Sequence, residues 1–362
     1  MSLRVVLSDT WSWPEVRRGG ERYLHELGAA LAAAGHDVSI LTTGSRPGSE
    51  RILDVPVHRV RRRSPAAGRL GAVAPEVAFG AQALARLAAR RFDVWHAVSI
   101  PDGAAAAVLS RVRPGLRSAF TDLGFPVARS RRQRPDHRLQ SVLARHVDSY
   151  ICFSEAAGAW LGRDYGRAAD VVPPGVDLQR FRPAAQRSPR PTIMYSGSLD
   201  EPRKNVALLL EAVAVLRRTL DVEVWLCGQG DGASLLAAAS PAARDAVTFV
   251  GPADDADLAE RYGRAWVLAL PSHAEAFGMV LVEALASGTP ILVSDDGGGP
   301  NEILVPGVGV ACAETVEALA AGLAESLDLA AGPGIVEACR ARAECYDWKT
   351  VVVPMLERLY AG

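Results

Sequence analysis

Short apolar runs alternate with amphipathic segments along most of the chain. Near the start, the runs Leu3–Ser8 and Val38–Thr42 enclose Glu21–Ala34, whose leucines recur at helical spacing. Apolar runs of this length are typical of buried parallel strands, and the segment between them predicts a helix. The same alternation predicts strands at 94–96, 118–120, 149–153, 192–196, 222–227, 247–250, 267–270 and 291–294, and helices after Gly103, before Arg145, from Ser154, at 205–218, at 277–287 and from about Thr315.

This order of strands and helices predicts two doubly wound α/β domains in succession. Pro173-Pro174-Gly175 and the segment 182–191, rich in Pro, Arg and Ala, are typical of a linker between them. Ligands of such domains bind beyond the carboxyl ends of the strands. We therefore expect the site in the loops at those ends, in a cleft between the two halves.

Charge is divided unevenly between the halves. The chain has 362 residues and a formal net charge of −1. Residues 1–172 hold 25 Arg, no Lys and 16 acidic residues, a net +9, whereas the rest carries −10. The near-zero total gives no indication of a nucleic-acid partner, but the asymmetry suggests that the halves meet different partners, the alternative being a drift of surface composition.

Cysteine usage and hydropathy indicate an intracellular protein. The five cysteines are odd in number and form no C-x-x-C pair, so neither a disulfide framework nor a zinc site is predicted. We see no signal-like segment and no apolar run near ~18 residues, and therefore expect a cytoplasmic protein. Two basic stretches, Arg59–Arg63 and Arg129–Arg134, could contact the anionic inner face of a membrane. The alternative is that they are solvated loop arginines.

Two glycine-containing loops are candidates for binding an anionic ligand. Gly19 and Gly20 precede a predicted helix, where backbone amides can approach an anion and the helix dipole favours it. The run Gly228-Gln229-Gly230-Asp231-Gly232 follows a predicted strand and is suited to one wall of a nucleotide pocket. Ordinary turns are the alternative for both.

A third loop carries two adjacent cations, Arg203 and Lys204, directly before a predicted helix. A guanidinium forks onto phosphate oxygens and an ammonium adds a compact charge, so the pair suits a diphosphate. A solvated basic turn is the alternative. Lys204 is one of only two lysines in the chain, with Lys349, which favours a functional role.

Two glutamates, Glu275 and Glu283, lie eight residues apart across the start of a predicted helix. At the helical rise they are separated by ~12 Å along the axis. That is too far for a paired-acid hydrolase, which needs about 5–9.5 Å. The spacing suits one extended ligand, with Glu275 on a sugar, Glu283 on a ribose, and the amides of 277–279 on phosphates. The alternative is a capping acid followed by an exposed surface acid.

Taken together, these motifs resemble glycosyltransferase family 4. The resemblance rests on Gly19-Gly20-Glu21-Arg22, on the segment 172–183 and on the element from Glu275 to Glu283; Asp200-Glu-Pro-Arg-Lys204 and Tyr346-Asp-Trp348 are most similar to the phosphatidylinositol mannosyltransferase branch. It extends over nearly the whole chain. It implies the GT-B fold, an α/β architecture of two doubly wound Rossmann-like domains facing across a cleft.

The resemblance also implies the role of each part. Residues 1–172 would bind the acceptor and 173–345 the nucleotide sugar, while the helix in 346–362 would pack back on the N-terminal domain. The reaction would be a retaining transfer of a hexosyl group from a UDP- or GDP-sugar to a hydroxyl of a glycan, lipid or small molecule, with no metal or other cofactor. Arg203 and Lys204 would hold the diphosphate and Glu275 the sugar. Further donor contacts would come from Gly19, Gly20, Gly228, Phe277, Gly278, Met279, Val280 and Glu283.

Two departures from the family pattern affect these expectations. The family commonly has Gly-Arg where this chain has Gly197-Ser198, and a histidine near the loop that here begins Thr121-Asp122. His96, Thr121 and Asp122 are therefore the acceptor-side candidates, although His96 is better placed as a supporting residue at a strand end than as a replacement for that histidine. A sugar-nucleotide epimerase and a non-catalytic nucleotide-sugar-binding homologue stay open. The acidic run 254–257 is expected to begin a helix or flank the base pocket rather than to bind metal.

Overall fold

The structure, a computed structural model, describes residues 2–16, 19–62, 75–124 and 135–362. The chain divides into two units: unit 1 comprises Met1–Pro174 and Trp348–Gly362, and unit 2 comprises Gly175–Asp347. These boundaries lie two residues beyond those drawn from the sequence. The segment 182–191 belongs to unit 2, where Arg187 donates hydrogen bonds to the carbonyls of Gly288 and Ala330. Its interpretation as a linker is therefore wrong.

Unit 1 is built on a sheet of eight described strands in the order β3-β4-β2-β1-β5-β6-β7-β8. All neighbours are parallel except β3, which runs antiparallel to β4. The central strands are buried along their length, as expected for apolar runs covered on both faces. The strands are β1 Arg4–Ser8, β2 Asp37–Gly44, β3 Gly48–Ile52, β4 Val55–Arg61, β5 Val94–Ala97, β6 Arg117–Thr121, β7 Ser149–Cys152 and β8 Asp170–Val171.

The helices of unit 1 lie between these strands and bury their apolar stripes against the sheet. On the first of them, for example, Leu24, Leu27 and Leu31 are fully buried. They are α1 Gly19–Ala33, α2 Pro75–Leu87, α3 Ile100–Val112, α4 Pro135–His146 and α5 Glu155–Tyr165. The hydroxyl of Ser154 caps α5 by accepting from the amide of Ala157, and Gly166 ends it in the left-handed conformation.

Unit 2 contains a fully parallel sheet of six described strands in the order β11-β10-β9-β12-β13-β14. The strands are β9 Thr192–Ser196, β10 Glu223–Cys227, β11 Val247–Gly251, β12 Val267–Leu270, β13 Ile291–Ser294 and β14 Gly309–Cys312. The helices are α6 Val206–Leu216, α7 Gly232–Ala238, α8 Pro241–Arg244, α9 Asp255–Arg264, α10 Met279–Ala286, α11 Gly299–Ile303, α12 Val316–Ala331 and α13 Ile335–Glu344, with a short 3-10 helix at Pro202–Lys204.

The C-terminal segment returns to unit 1 as a π-helical turn, Trp348–Val352, followed by α14, Val353–Ala361. The ring of Trp348 lies 5.9 Å from that of Tyr23, and Glu357 pairs with His36 at 2.9 Å. Within the described ranges, no individual helix combines the length and apolarity needed to cross a membrane; α12 and α13 meet that test only as a pair bent by 101°.

Candidate active site

In unit 2 the strand order changes direction between β9 and β12. The chain runs outward from β9 through β10 to β11, and then resumes on the other side at β12. Loops that diverge at such a switch point leave a crevice at the carboxyl edge of the sheet, where ligands of doubly wound domains bind. The loop after β9 carries Arg203 and Lys204, and the loop after β12 carries Glu275. The fold thus brings together the three residues to which the family resemblance assigns the donor diphosphate and the transferred sugar.

These three side chains form one ion cluster. A single carboxylate oxygen of Glu275, Oε2, lies 2.9 Å from Nη1 of Arg203 and 2.5 Å from Nζ of Lys204. Arg203 also pairs with Glu201 at 2.5 Å. The side chains of Lys204 and Glu275 are only 14% and 13% exposed, so Lys204 is not a solvated lysine on a basic turn.

The cluster keeps Glu275 ionised. Burial alone would raise the pKa of Glu275, but the charges of Lys204 and Arg203 outweigh that effect and hold it below its usual value. Below the cluster, burial raises the pKa of Tyr195, and the charges of Glu275 and Glu201 raise it further. The Tyr195 hydroxyl is therefore neutral, and it donates a 2.8 Å hydrogen bond to the carbonyl of Ser198. That bond fixes the backbone at the position where the family commonly has arginine.

Backbone contacts hold the loops of the crevice against one another. The amide of His273 donates to the carbonyl of Arg203 at 2.7 Å, and the side-chain amide of Asn205 donates to the carbonyl of Pro271 at 2.9 Å. Gly228 has φ 146°, and a Cβ there would lie 1.8 Å from the carbonyl oxygen of Gly197. Only glycine allows this approach, so Gly228 is required for loop packing whether or not it contacts a donor.

Glu275 is not part of the helix that follows it. The predicted helix at 277–287 begins at Met279, because Gly278 is left-handed with φ 88°. Ala274 is also left-handed, with φ 50°. Glu275 is placed by a loop, which lets it reach Lys204, so the helical rise does not apply to the first four of the eight steps that separate it from Glu283. Phe277 is buried and its ring lies 5.4 Å from that of Tyr346.

The start of α10 keeps the geometry expected of an anion site. Its first amides, beginning at Met279 and Val280, have no earlier helical carbonyl to bind and carry the positive end of the helix dipole. Glu283, on the second turn, is only 3% exposed. The alternative of an exposed surface acid at this position is therefore excluded. The acidic run at 254–257 begins α9, where Asp254 accepts from the amides of Ala256 and Asp257.

In unit 1, Gly19 and Gly20 form the first turn of α1. A Cβ on Gly20 would lie 2.7 Å from a methyl group of Leu123, so a larger residue there would displace the end of that side chain. Gly19 is exposed at the helix start. The two residues therefore offer helix-terminal amides at the carboxyl edge of the unit 1 sheet, consistent with the prediction but not specific to a donor.

The acceptor-side candidates separate into a buried pair and a partly exposed acid. His96 and Thr121 are completely buried, and Nε2 of His96 lies 2.7 Å from the Thr121 hydroxyl. Nδ1 of His96 lies 2.6 Å from the hydroxyl of Tyr360 on α14. Burial lowers the pKa of His96 to about 3, so the imidazole is neutral. Acceptor contact by this pair stays a prediction that requires it to become accessible, whereas Asp122 is already partly exposed.

Sequence reasoning missed two buried carboxyl groups at the switch point of unit 1. Asp102 is fully buried and accepts from the hydroxyls of Ser8 and Ser99, the latter at 2.6 Å. Burial raises the pKa of Asp102 to about 7. Asp9 follows β1, and burial, with the charges of Asp102 and Glu21, raises its pKa well above the usual value. The available signals were an aspartate directly after a strand and the Ser99-x-x-Asp102 spacing at a helix start.

Two arginines of the first basic stretch form contacts within unit 1, whereas Arg61 is exposed and Arg63 lies outside the described residues. Arg59 pairs with Glu50 at 2.5 Å, and Arg62 pairs with Glu15 at 3.0 Å while lying 4.9 Å from the centre of the Trp11 ring. Arg59 and Arg62 are therefore not solvated loop arginines, while that alternative stays open for Arg61. The second stretch, Arg129–Arg134, lies outside the described residues.

Two family models together cover most of the chain. Residues 179–340 match the model for glycosyl transferases group 1, and residues 17–180 match that for glycosyltransferase family 4. The glycogen synthase of Mycobacterium tuberculosis (strain H37Rv) is 31% identical over 390 residues, which cover 96% of this chain and 92% of that protein. The phosphatidyl-myo-inositol mannosyltransferase of Mycolicibacterium smegmatis is 35% identical over 242 residues, which cover 63% and 58%.

Solved structures show the same fold. Sucrose-phosphate synthase from Thermosynechococcus elongatus superposes with a TM-score of 0.81 at 24% identity, over 99% of this chain and 100% of that one. Anabaena Alr3699/HepE in complex with UDP and glucose superposes with a TM-score of 0.77 at 18% identity, over the same shares. The two Rossmann-like units and these likenesses define a glycosyltransferase of the GT-B class. The chain belongs to glycosyltransferase family 4.

Proposed function

We propose that this chain transfers a hexosyl group, with retention of anomeric configuration, from a UDP- or GDP-sugar to an acceptor hydroxyl. The observation that carries the proposal is the Arg203–Lys204–Glu275 cluster at the switch point of unit 2. It places two cations and a carboxylate at the carboxyl edge of the sheet, where a phosphorylated ligand meets such a domain. The UDP and glucose bound to Alr3699/HepE support a nucleotide-sugar donor.

The donor diphosphate takes the place of Glu275 on the two cations. Arg203 binds phosphate oxygens through its forked N–H groups and Lys204 adds a point charge. The amides at the start of α10 face the same crevice and stabilise negative charge. Glu275, released from the cations, accepts a hydrogen bond from a hydroxyl of the transferred sugar, while Glu283 serves the ribose.

Catalysis follows from charge that grows on the leaving diphosphate. Arg203, Lys204 and the α10 terminus are already aimed at that charge, and such preorganised groups commonly provide the largest share of rate enhancement. A phosphate oxygen of the leaving group takes the acceptor proton, so the transfer needs neither a protein base nor a metal ion. The acceptor, a glycan, a lipid or a small molecule, binds unit 1 near the start of α1.

Donor binding is tested by thermal shift with UDP-, GDP- and ADP-sugars, comparing the parent with Lys204→Ala. Lys349, the other lysine, is exposed and lies in unit 1, so Lys349→Ala is the matched control. We expect one class of nucleotide sugar to stabilise the parent and the control, and the shift to vanish in Lys204→Ala. An equal shift in both variants would refute the assignment of Lys204 to the diphosphate.

Catalysis is tested with Glu275→Gln and its control Glu325→Gln, which alters an exposed glutamate on α12. Once the donor is known, transfer to a panel of acceptors is followed by NMR, which also reports the anomeric configuration of the product, and is repeated with EDTA. Loss of at least 100-fold in kcat for Glu275→Gln, against an unchanged control, is expected, as for other lost transition-state contacts. Near-normal transfer, inversion, or an epimerised nucleotide sugar formed without acceptor would each overturn the proposal.

A further inference from the structure

Three neighbouring strands of unit 2 bring a separate set of polar side chains together. His273 follows β12, Asp296 follows β13 and Glu314 follows β14, each within three residues of the strand end. Because these strands are adjacent and parallel, their carboxyl ends meet at one edge. The three donor atoms all lie within 4.8 Å of one another. Nδ1 of His273 is 2.9 Å from Glu314 Oε1 and 3.9 Å from Asp296 Oδ2.

We propose that His273, Asp296 and Glu314 bind a divalent transition-metal ion, with Zn²⁺ the best fit. One imidazole nitrogen and two carboxylate oxygens form a donor set that zinc accepts, and the imidazole disfavours Mg²⁺ and Ca²⁺. Bonds of ~2.0–2.2 Å in tetrahedral geometry separate ligand atoms by roughly 3.4 Å. The distances from His273 to Glu314 and to Asp296 lie on either side of that value, and the two carboxylate oxygens lie within 4.8 Å of each other, so binding an ion requires the side chains to rotate.

The surroundings of the two carboxylates orient them, and His273 is the one basic side chain that both share among the described residues. Asp296 accepts from the amides of Ala274 at 2.6 Å and Gly298 at 2.9 Å, and Glu314 accepts from the side chain of Asn205 at 3.2 Å. Such outer contacts hold ligands of metal sites in place. Within the part of the chain that the structure describes, no Lys or Arg forms an ion pair with either carboxylate. Two carboxylates thus share a single imidazole, and a divalent cation, in place of a proton on that imidazole, would balance both of them.

The position of the cluster gives a bound ion a structural consequence. His273 contacts the Arg203 backbone through its own amide, and Asn205 joins Glu314 to the carbonyl of Pro271. An ion therefore fixes both loops of the donor crevice relative to each other without touching the reacting atoms. The His273 side chain is 64% exposed, which leaves room for water to complete the coordination. The ion takes no part in the transfer step proposed above, although it holds the loops that carry the donor-binding residues.

Binding is tested on the full chain carrying Cys345→Ser, because the exposed thiol of Cys345 also attracts zinc. Zn²⁺ is titrated by calorimetry and Co²⁺ by visible absorption, with Mg²⁺ as a separate arm, in the parent, His273→Ala, Glu314→Gln and His146→Ala. His146 is an exposed histidine at the end of α4 in unit 1 and serves as the control. We expect His146→Ala to bind as the parent does, and each cluster variant to bind at least tenfold more weakly.

Three outcomes would overturn the proposal: no binding by the parent, parental affinity in both cluster variants, or binding of Mg²⁺ in preference to Zn²⁺. Circular dichroism checks that each variant is folded. If His273→Ala does not fold, the milder Glu314→Gln change still tests the proposal. The Lys204→Ala variant distinguishes a failure of the metal-site proposal from a failure of the proposed function, because it is expected to lose nucleotide-sugar binding and to retain Zn²⁺ binding.

Discussion

The cluster around Glu275 leads to a stability prediction for the ligand-free protein. Glu275→Gln removes the charge that two cations share while nearly preserving shape. Arg203 keeps its pair with Glu201, but no second acceptor is found for the ammonium of Lys204 among the described residues. The substitution therefore leaves a mostly buried ammonium without a counter-charge, and we expect unit 2 to lose stability.

The magnitude follows from the distances. At 2.5 and 2.9 Å, with an effective dielectric constant of about 20, each pair is attracted by roughly 6 kcal/mol before desolvation is subtracted. Removing one partner of a buried pair typically costs about 3–5 kcal/mol. The 30% exposure of Arg203 reduces this, and we expect about 2–3 kcal/mol for Glu275→Gln. Glu201→Gln, at a side chain that is 40% exposed, is the matched control, at under about 1 kcal/mol.

A double-mutant cycle isolates the pair itself. The free energy of opening of unit 2 is measured by hydrogen exchange in the parent, Glu275→Gln, Lys204→Gln and the double variant, because exchange reports each unit separately. We expect a coupling energy of about 1–2 kcal/mol between Glu275 and Lys204. A coupling below about 0.3 kcal/mol, within the error of additivity, or a Glu275→Gln variant as stable as Glu201→Gln, would refute the argument that these charges depend on each other.

Two further predictions concern a buried acid and a glycine. Native Asp102 has a pKa of about 7 and keeps a proton that the unfolded chain releases from about pH 4 upward, so the stability of unit 1 falls by up to ~4 kcal/mol as pH rises across that window. In denaturant titrations, Asp102→Asn should flatten this dependence on pH, whereas Asp170→Asn, at an exposed site, should not. An unchanged dependence in Asp102→Asn would exclude Asp102 as its source. Gly228→Ala forces a Cβ onto the Gly197 carbonyl and should lower the free energy of unfolding by more than about 3 kcal/mol. Gly48→Ala, whose added Cβ meets open space, should leave it nearly unchanged. Equal urea midpoints for the two variants would show that the two loops can separate freely.

Much of the unit 2 fold could be predicted from local pattern. The strands at 192–196, 267–270 and 291–294 have the bounds expected for them, because a strand buried on both faces is a continuous apolar run that ends where polar or turn residues begin. In unit 1, the sequence pattern did not predict the hairpin of β3 and β4, because these strands are largely or partly exposed and mix proline and arginine with apolar residues. Local pattern carries little information about such edges.

The candidate site could be predicted only in part. Motifs identified Arg203, Lys204 and Glu275 one loop at a time, but their ion cluster arises because β12 pairs with β9. The sequence pattern between residues 205 and 266 does not predict that pairing. The same holds for the convergence of His273, Asp296 and Glu314. Glu275 was expected just before a helix, and it lies there; the helix itself begins at Met279 rather than at 277, because Gly278 takes the left-handed conformation.

The cluster also sets a condition on any ligand that uses its cations. Arg203, Lys204, Glu201 and Glu275 carry equal numbers of positive and negative charges, so the donor-free site is locally neutral. A ligand that displaces the carboxylate of Glu275 must itself offer Lys204 a negative charge, because a mostly buried ammonium without a counter-charge is unfavourable. A neutral sugar cannot do so, whereas a diphosphate offers several anionic oxygens to both cations at once. In the proposed reaction, the displacement that admits the diphosphate is the same one that frees Glu275 for the sugar, so donor binding and release of the acid are expected to be coupled.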